Sequence, residues 1–193
     1  NEAYKNNQLA IEAELSINPK SKNVAHMYAL NGEIYSRQMN FKKAIGELNK
    51  AITILPNSSR FYADLGEIYE LENKLDSALI LKEKSLELSD SKLDISWSHF
   101  RISLTYILKN DDLNAFTEIL TAMNVDSETY EIFYRSVMAY CYFKLDRSNL
   151  FCSEFQKIHP TIENEKRWIN TLNNFFENYF NFSDLLEIYE DCK

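Results

Sequence analysis

Apolar residues recur along this chain three and four positions apart, the spacing that keeps side chains on one face of a helix. Over 2–17 the residues Leu9, Ala10, Ala13 and Ile17 form such a face, and Asn18-Pro19 ends it, because proline disfavours helix in the residue before it. Paired runs follow. Helices are predicted over 25–37 and 41–55, then over 59–71 and 75–88, with turns at 38–40 and 72–74 and Ser58 or Ser59 as N-cap of the second pair. The pairs are copies of one another. Gly32-Glu33-Ile34-Tyr35 returns as Gly66-Glu67-Ile68-Tyr69, 34 residues on, while Tyr28, Phe41, Ala44 and Ile45 are echoed by Tyr62, Leu75, Ala78 and Leu79. A period in this range marks a stacked array of helical hairpins, in which each unit needs its neighbour to bury an apolar face.

A third unit, 96–129, carries Ile102, Ser103, Tyr106, Ala115, Ile119 and Ala122 in the same relative places after an offset of 37, which places three extra residues in a loop near 90–93. Pro19 likewise precedes Pro56 by 37, so a longer loop is expected over 20–23. The fourth unit, 130–160, is degenerate: Met138, Ala139 and Tyr142 repeat the pattern, but Phe151 stands where Ala recurs, so altered packing is expected of helices over 128–144 and 148–158. Beyond His159-Pro160 a long helix over 163–180 and a short one over 183–191 are predicted. The long one bears a stripe of Trp168, Leu172, Phe175, Phe176 and Tyr179. That stripe has two readings, a cap finishing the array and a docking surface wider than one neighbour needs. Residues 1–22 are half a repeat, and the whole of 1–193 is read as one elongated helical domain.

The combination of Tyr62, Leu65, Gly66 and Tyr69, with Ala78 nine residues later, resembles the tetratricopeptide repeat family. The first unit matches it at Tyr28, Gly32, Tyr35, Ala44, Leu48, Ala51 and Pro56, with Asn31 where the family prefers Leu and Leu30 as the expected substitute. Lys82 and Ser85 depart from the pattern in the second unit, where a large apolar residue and an Ala are usual. The resemblance implies an all-α superhelix, a right-handed solenoid of antiparallel helix pairs. Gly32 and Gly66 would let paired backbones meet Ala44 and Ala78, and the repeating tyrosines would fill the space between units.

In similar proteins the first helices of the pairs line a concave groove that holds partner peptides. Carried onto this chain, the groove positions are His26, Ala29, Glu33, Ser36 and Arg37 in the first unit and Arg60, Ala63, Asp64, Glu67, Glu70 and Leu71 in the second. The third contributes Trp97, Phe100, Arg101, Leu104, Ile107 and Leu108. The expected partner is therefore a peptide or helix with basic residues for Glu33, Asp64, Glu67 and Glu70 and an apolar or aromatic anchor for Trp97, Phe100 and Leu104. Family members that grip the C-terminal carboxylate of heat-shock chaperones use Lys and Asn where this chain has Ala29 and Glu33, so a negative groove here rejects that ligand.

Composition narrows the alternatives. A net charge of −8 without clustered Lys or Arg argues against nucleic-acid binding, and 13% aromatic residues is too many for a disordered chain. No apolar run approaches the roughly 18 residues a membrane span needs. Cys141, Cys152 and Cys192 fit no zinc spacing and are expected as thiols in a reducing compartment, with a Cys141–Cys152 bridge across a hairpin as the alternative. His26, His99 and His159 stand alone, and three scattered glycines build no phosphate loop, so neither enzyme, metal nor cofactor is expected. The leading reading is a non-catalytic protein-interaction scaffold, in the cytoplasm in preference to an envelope-anchored setting. Its rivals are a peptide-sensing module of a larger bacterial regulator, bending at the longer loops near Lys20 and Asp90, and an envelope-associated assembly factor.

Overall fold

The computed structural model describes residues 2–18, 21–164 and 167–192. Among these it is all helical: α1 Glu2–Ile17, α2 Lys22–Arg37, α3 Phe41–Ile54, α4 Ser59–Leu71, α5 Leu75–Glu87, α6 Lys92–Leu108, α7 Asp112–Val125, α8 Glu131–Lys144, α9 Ser148–Asn164, α10 Arg167–Phe176 and α11 Phe182–Glu190. The chain divides into two compact units, Asn1–Ser89 and Asp90–Lys193. Within them α2 packs on α3, α4 on α5, α6 on α7 and α8 on α9, as consecutive pairs.

Four identical turns join the pairs. Met39, Asn73, Asn110 and Asp146 each adopt a left-handed φ of 56 to 58°. The next residue's N–H then donates to a tyrosine carbonyl five positions back: Asn40 to Tyr35 at 2.9 Å, Lys74 to Tyr69 at 2.8 Å, Asp111 to Tyr106 at 2.9 Å and Arg147 to Tyr142 at 2.8 Å. This is the Schellman closure of a helix C-terminus. Asn40 and Asp111 then cap the following helix by accepting from the N–H of Lys43 and Asn114. The same turn recurs in the degenerate fourth pair, so its recurring tyrosine marks a real repeat there too. Ser58 occupies the N-cap of α4, although its side chain makes no capping bond.

Gly32 and Gly66 sit at the close approaches expected of them. A methyl group built on Gly32 would lie 2.9 Å from Leu48 Cγ and 3.3 Å from the Ala44 carbonyl, and one on Gly66 would lie 3.0 Å from Lys82 Cγ and 3.2 Å from the Ala78 carbonyl. Both distances are tighter than ordinary packing, so paired helices meet backbone to backbone here. Ala44, Ala51, Ala78, Ala115 and Ala122 are fully buried on the facing helices.

Three local expectations need correction, besides the helix expected over 163–180, of which α10 covers only Arg167–Phe176. The extra residues do not lengthen loops: α5 ends at Glu87 and α6 starts at Lys92, just as α3 ends at Ile54 and α4 at Ser59 begins. The insertion is helical instead, since α6 has 17 residues and α2 has 16 where α4 has 13. Ser21 and Ser91 cap those extended helices through their side chains, which fixes the earlier start; Pro19 and Lys20 lie outside the described residues. In the fourth pair, α9 continues through Pro160 to Asn164 and does not stop at Ile158. Proline's fixed φ is itself helical, and the buried Phe151, Phe155 and Ile158 hold the helix on the core before the proline is reached. The third correction concerns Asn31. Leu30 is 47% exposed and substitutes for nothing, while Asn31 is itself fully buried.

Burial of Asn31 is possible because its polar atoms are satisfied. Asn7 of α1 donates to the Asn31 side-chain oxygen at 2.7 Å and to the Met27 carbonyl at 2.7 Å, while Asn31 donates to Glu47 at 3.1 Å. Lys50 completes the chain with a 2.7 Å bond to the other Glu47 oxygen. Polar bonds thus tie α1, α2 and α3 together, and the residue that departs from the repeat pattern is their centre. Lys82 plays the same part between α4 and α5, pairing at 2.5 Å with Glu70, both side chains almost wholly buried.

The second unit is packed differently. Phe100, Tyr134, Phe151, Phe155, Leu172, Phe176 and Phe182 are inaccessible to solvent and belong to one continuous core, with Trp97, Phe133, Trp168 and Phe175 packed against it. The Tyr134 hydroxyl shares a 2.9 Å hydrogen bond with Ser96, and burial pushes its pKa up to about 12. A disulfide joins Cys152 of α9 to Cys192 just past α11, with Cα atoms 5.7 Å apart, and Cys141 is a buried thiol whose pKa burial pushes up. The expected set of free thiols, and the Cys141–Cys152 alternative, are thereby replaced. Cys141 sits on the core side of α8, whereas Cys152 is turned toward the chain's last residues.

Candidate functional site

In the first unit, side chains from α2 and α4 line a cleft of about 280 Å³. Its rim comprises Glu33 and Ser36 from α2 and Arg60, Asp64 and Glu67 from α4, while Ala29, Leu48, Ile68 and Leu71 give it an apolar floor and flank. Helical geometry explains the assembly: 60, 64, 67, 68 and 71 follow the three-and-four spacing of a single face, as do 29, 33 and 36. Gly32 and Leu48 meet where α2 lies close to α3. Three carboxylates oppose one guanidinium on the lining. Arg60 lies 3.6 Å from Asp64, and Arg37, just outside, pairs with Glu33 at 2.7 Å while both remain well exposed. Pairs this exposed rearrange at little cost when a ligand arrives.

The expected groove positions divide sharply. Ala29, Glu33, Ser36, Arg60, Asp64, Glu67 and Leu71 are brought together in that cleft, and Arg37 is beside it. Ala63 is buried, and Glu70 is turned into the α4–α5 interface against Lys82, so neither faces a ligand. Leu48 and Ile68, which close the floor, were absent from the expected set, though both occupy repeat positions that could have indicated it.

In the second unit the expected anchor is already covered. Phe100, Leu104 and Ile107 are buried, with exposures of 0, 2 and 3%, and Trp97, Arg101 and Leu108 are half-buried. The cover comes from within the chain. Phe175 of α10 lies with its ring 5.9 Å from Phe100, 6.2 Å from Trp97 and 4.8 Å from Phe133, while Trp97 also packs at 4.4 Å on Tyr130. The reason is the stripe on α10: Leu172 and Phe176 are inaccessible, and Trp168 and Phe175 fill the wall made by α6 and α8. Phe100 and Leu104 are thus core residues, and no partner anchor is formed by them.

The histidines have structural surroundings. His26 meets Phe61 edge-on at 5.4 Å, and His99 Nδ1 lies 2.7 Å from Glu118, joining α6 to α7; the His159 side chain lies outside the described residues. Among the described residues no group of three or more metal-ligating side chains comes together, and no helix is long and apolar enough to cross a membrane.

An array of consecutive helix pairs has counterparts among solved structures. Superposition on YrrB, a TPR protein with an unusual peptide-binding site, gives a TM-score of 0.63 at 13% identity, covering 95% of this chain and 92% of that one. The chain has a tetratricopeptide-type fold. MamA shares this fold with a TM-score of 0.64 and 14% identity over 82% of this chain and 88% of its own, and Pseudomonas aeruginosa PilF does so at 0.66 and 14% over 80% and 68%. No protein-family model matches the sequence, and neither does any curated protein. The tetratricopeptide-type resemblance read from the repeats therefore holds for the fold, and no enzymatic family is indicated.

Proposed function

We propose that this chain is a non-catalytic protein-interaction scaffold whose first unit receives a basic segment of a partner protein or peptide in the α2–α4 cleft. One observation carries the reading: Glu33, Asp64 and Glu67 converge at the mouth of a cleft whose floor is the apolar surface of Ala29, Leu48 and Ile68. A lysine or arginine side chain suits such a site because its methylene stem covers apolar floor while its charged end meets the carboxylates. The tetratricopeptide-type neighbours support a protein or peptide as ligand, and YrrB among them has a peptide-binding site of its own. The half of the expected partner that was to engage Trp97 and Phe100 is withdrawn, because those rings are covered.

Scaffolding is favoured over the bending sensor by a specific feature. Of the segments expected as longer, pliable loops, Lys22, Asn23, Lys92 and Leu93 belong to α2 and α6, and the link from α5 to α6 is no longer than that from α3 to α4.

The experiment is a titration of the chain with a library of short basic peptides at low and at near-molar salt. Binding is expected to weaken steeply with salt, and Asp64→Asn with Glu67→Gln is expected to lower affinity about tenfold at low salt, equivalent to about 1.4 kcal/mol. Salt-insensitive binding, or unaltered affinity in the double variant, would refute the electrostatic reading.

A further inference from the structure

We propose that α10 and α11 form a strap across the aromatic wall of the second unit, and that the Cys152–Cys192 disulfide is a solvent-addressable latch on that strap. The strap fills the wall through Phe175, which stacks on Phe100 and meets Phe133 edge-on. It returns to α9 through α11, where Phe182 and Tyr189 stack on Phe155 at 5.7 and 5.0 Å. The disulfide is the covalent tie between α9 and the end of that return, closing a separation of 40 residues.

The bond is placed where another thiol can reach it. Cys152 and Cys192 are both half-buried, and both line a cleft of about 430 Å³ whose other walls are Asn149, Ser153, Gln156 and Tyr189. Polar, uncharged walls admit a small dithiol or the active-site loop of a dithiol oxidoreductase without repelling its thiolate. Cys141 takes no part, being a fully buried residue of α8 held as the thiol.

The exchange is balanced with a dithiol as reductant. Its thiolate attacks one sulfur of the bridge, the Cys152–Cys192 bond breaks, and the displaced cysteine leaves as thiolate while a mixed disulfide forms. The second thiol of the reductant then attacks that mixed disulfide and frees the other cysteine. The reductant ends as its own disulfide, and Cys152 and Cys192 end as thiols after taking up two protons. Closing the latch needs the reverse transfer of two electrons to a disulfide oxidant, so a latched chain belongs to an oxidising compartment.

Opening removes a constraint on a 40-residue loop, which shifts the strap's equilibrium toward release of Phe175 from the wall. The test uses the purified chain under native conditions, with dithiothreitol as reductant, alkylation read by mass spectrometry, and amide hydrogen exchange before and after. Peptide mapping of the oxidised chain is expected to show the Cys152–Cys192 link, and reduction is expected to make both residues alkylatable within minutes while Cys141 stays unlabelled. Exchange over 167–190 is expected to speed up at least tenfold, with α6 to α8 changed less than twofold; Cys192→Ser reproduces this without reductant. Absence of the link, labelling only after denaturation, or equal acceleration throughout α6 to α11 would each overturn the proposal. So would exchange over 167–190 that ignores both reduction and the Cys192→Ser change.

Discussion

The first helices of the two units have opposite fates. In the first unit α2 and α4 leave a cleft between them, lined by Glu33, Asp64 and Glu67, whereas in the second the corresponding wall of α6 and α8 is filled by Phe175 and Trp168 of α10. The difference follows from the residues that each unit directs inward. Charged side chains on α2 and α4 stay in water because burying them unpaired is costly, and the apolar rings on α6 and α8 attract a cover because leaving them wet is costly. One scaffold thus produces an open acidic cleft and a closed aromatic core. The interiors differ in the same direction, since buried polar ties at Asn31 and Lys82 hold the first unit and stacked rings hold the second.

The largest test of that contrast is at the buried ion pair. Lys82→Ala takes the ammonium from a carboxylate that is 5% exposed, and is expected to cost about 3 to 5 kcal/mol in urea unfolding. Lys82→Met combined with Glu70→Leu replaces both charges with apolar groups and is expected to recover stability to within about 1 kcal/mol of the parent. If the single and double variants lose equally, Lys82 acts by filling space and the polar-tie account of the first unit fails.

A smaller effect is expected where the helices of a pair touch. Gly66→Val places two methyl groups against Lys82 Cγ and the Ala78 carbonyl, both already at contact distance from a Cβ, and is expected to cost about 1 to 3 kcal/mol. Ser103 occupies the equivalent place in the second unit, buried and donating to the Phe100 carbonyl at 2.7 Å, so that pair already accommodates a side chain. Ser103→Gly is therefore expected to cost helix propensity and that hydrogen bond, without relieving any clash. A gain in melting temperature for Gly66→Val would show that the first unit's contact has slack.

How much of this was legible in the chain depends on how far apart the cooperating residues lie. The four helix pairs followed from a period of about 34 residues, because local spacing records which face is buried, whereas the earlier starts of α2 and α6 and the later end of α9 did not. Asn31 and Lys82 looked like blemishes in the pattern, since their partners Asn7, Glu47 and Glu70 become neighbours only after the helices pair. Of the four acids expected on one face, Glu33, Asp64 and Glu67 do line one cleft, because their positions repeat with the helices, while Glu70 turns inward to Lys82. Phe100 and Leu104 were misplaced because nothing in a repeat reveals that a later, non-repeating helix will lie across them. Cys152 and Cys192 are 40 residues apart in segments without a shared period, so their meeting had no sequence signal.

The smallest expected effect concerns the feature both units share, the left-handed turn residue. Asn73, Asn110 and Asp146 hold that position in three pairs, and their short polar side chains tolerate a positive φ; Met39 holds it in the first, at 58° and 69% exposed. A long side chain in this conformation crowds its own carbonyl by roughly 1 to 2 kcal/mol, and so exposed a residue has little packing to lose. Met39→Gly removes the crowding but enlarges the freedom of the unfolded chain, which takes back about 0.4 to 1 kcal/mol. The net expectation is a gain of about 0.5 kcal/mol, and Met39→Asn, without the entropic penalty of glycine, should gain at least as much. The reciprocal change, Asn73→Met, should lose a similar amount if the two turns are energetically alike. Urea midpoints measured for the three variants at constant m-value decide it. A lowered midpoint for both Met39 variants would mean that the methionine side chain makes a compensating contact in the first unit, and that the four turns share a backbone without sharing its energetics.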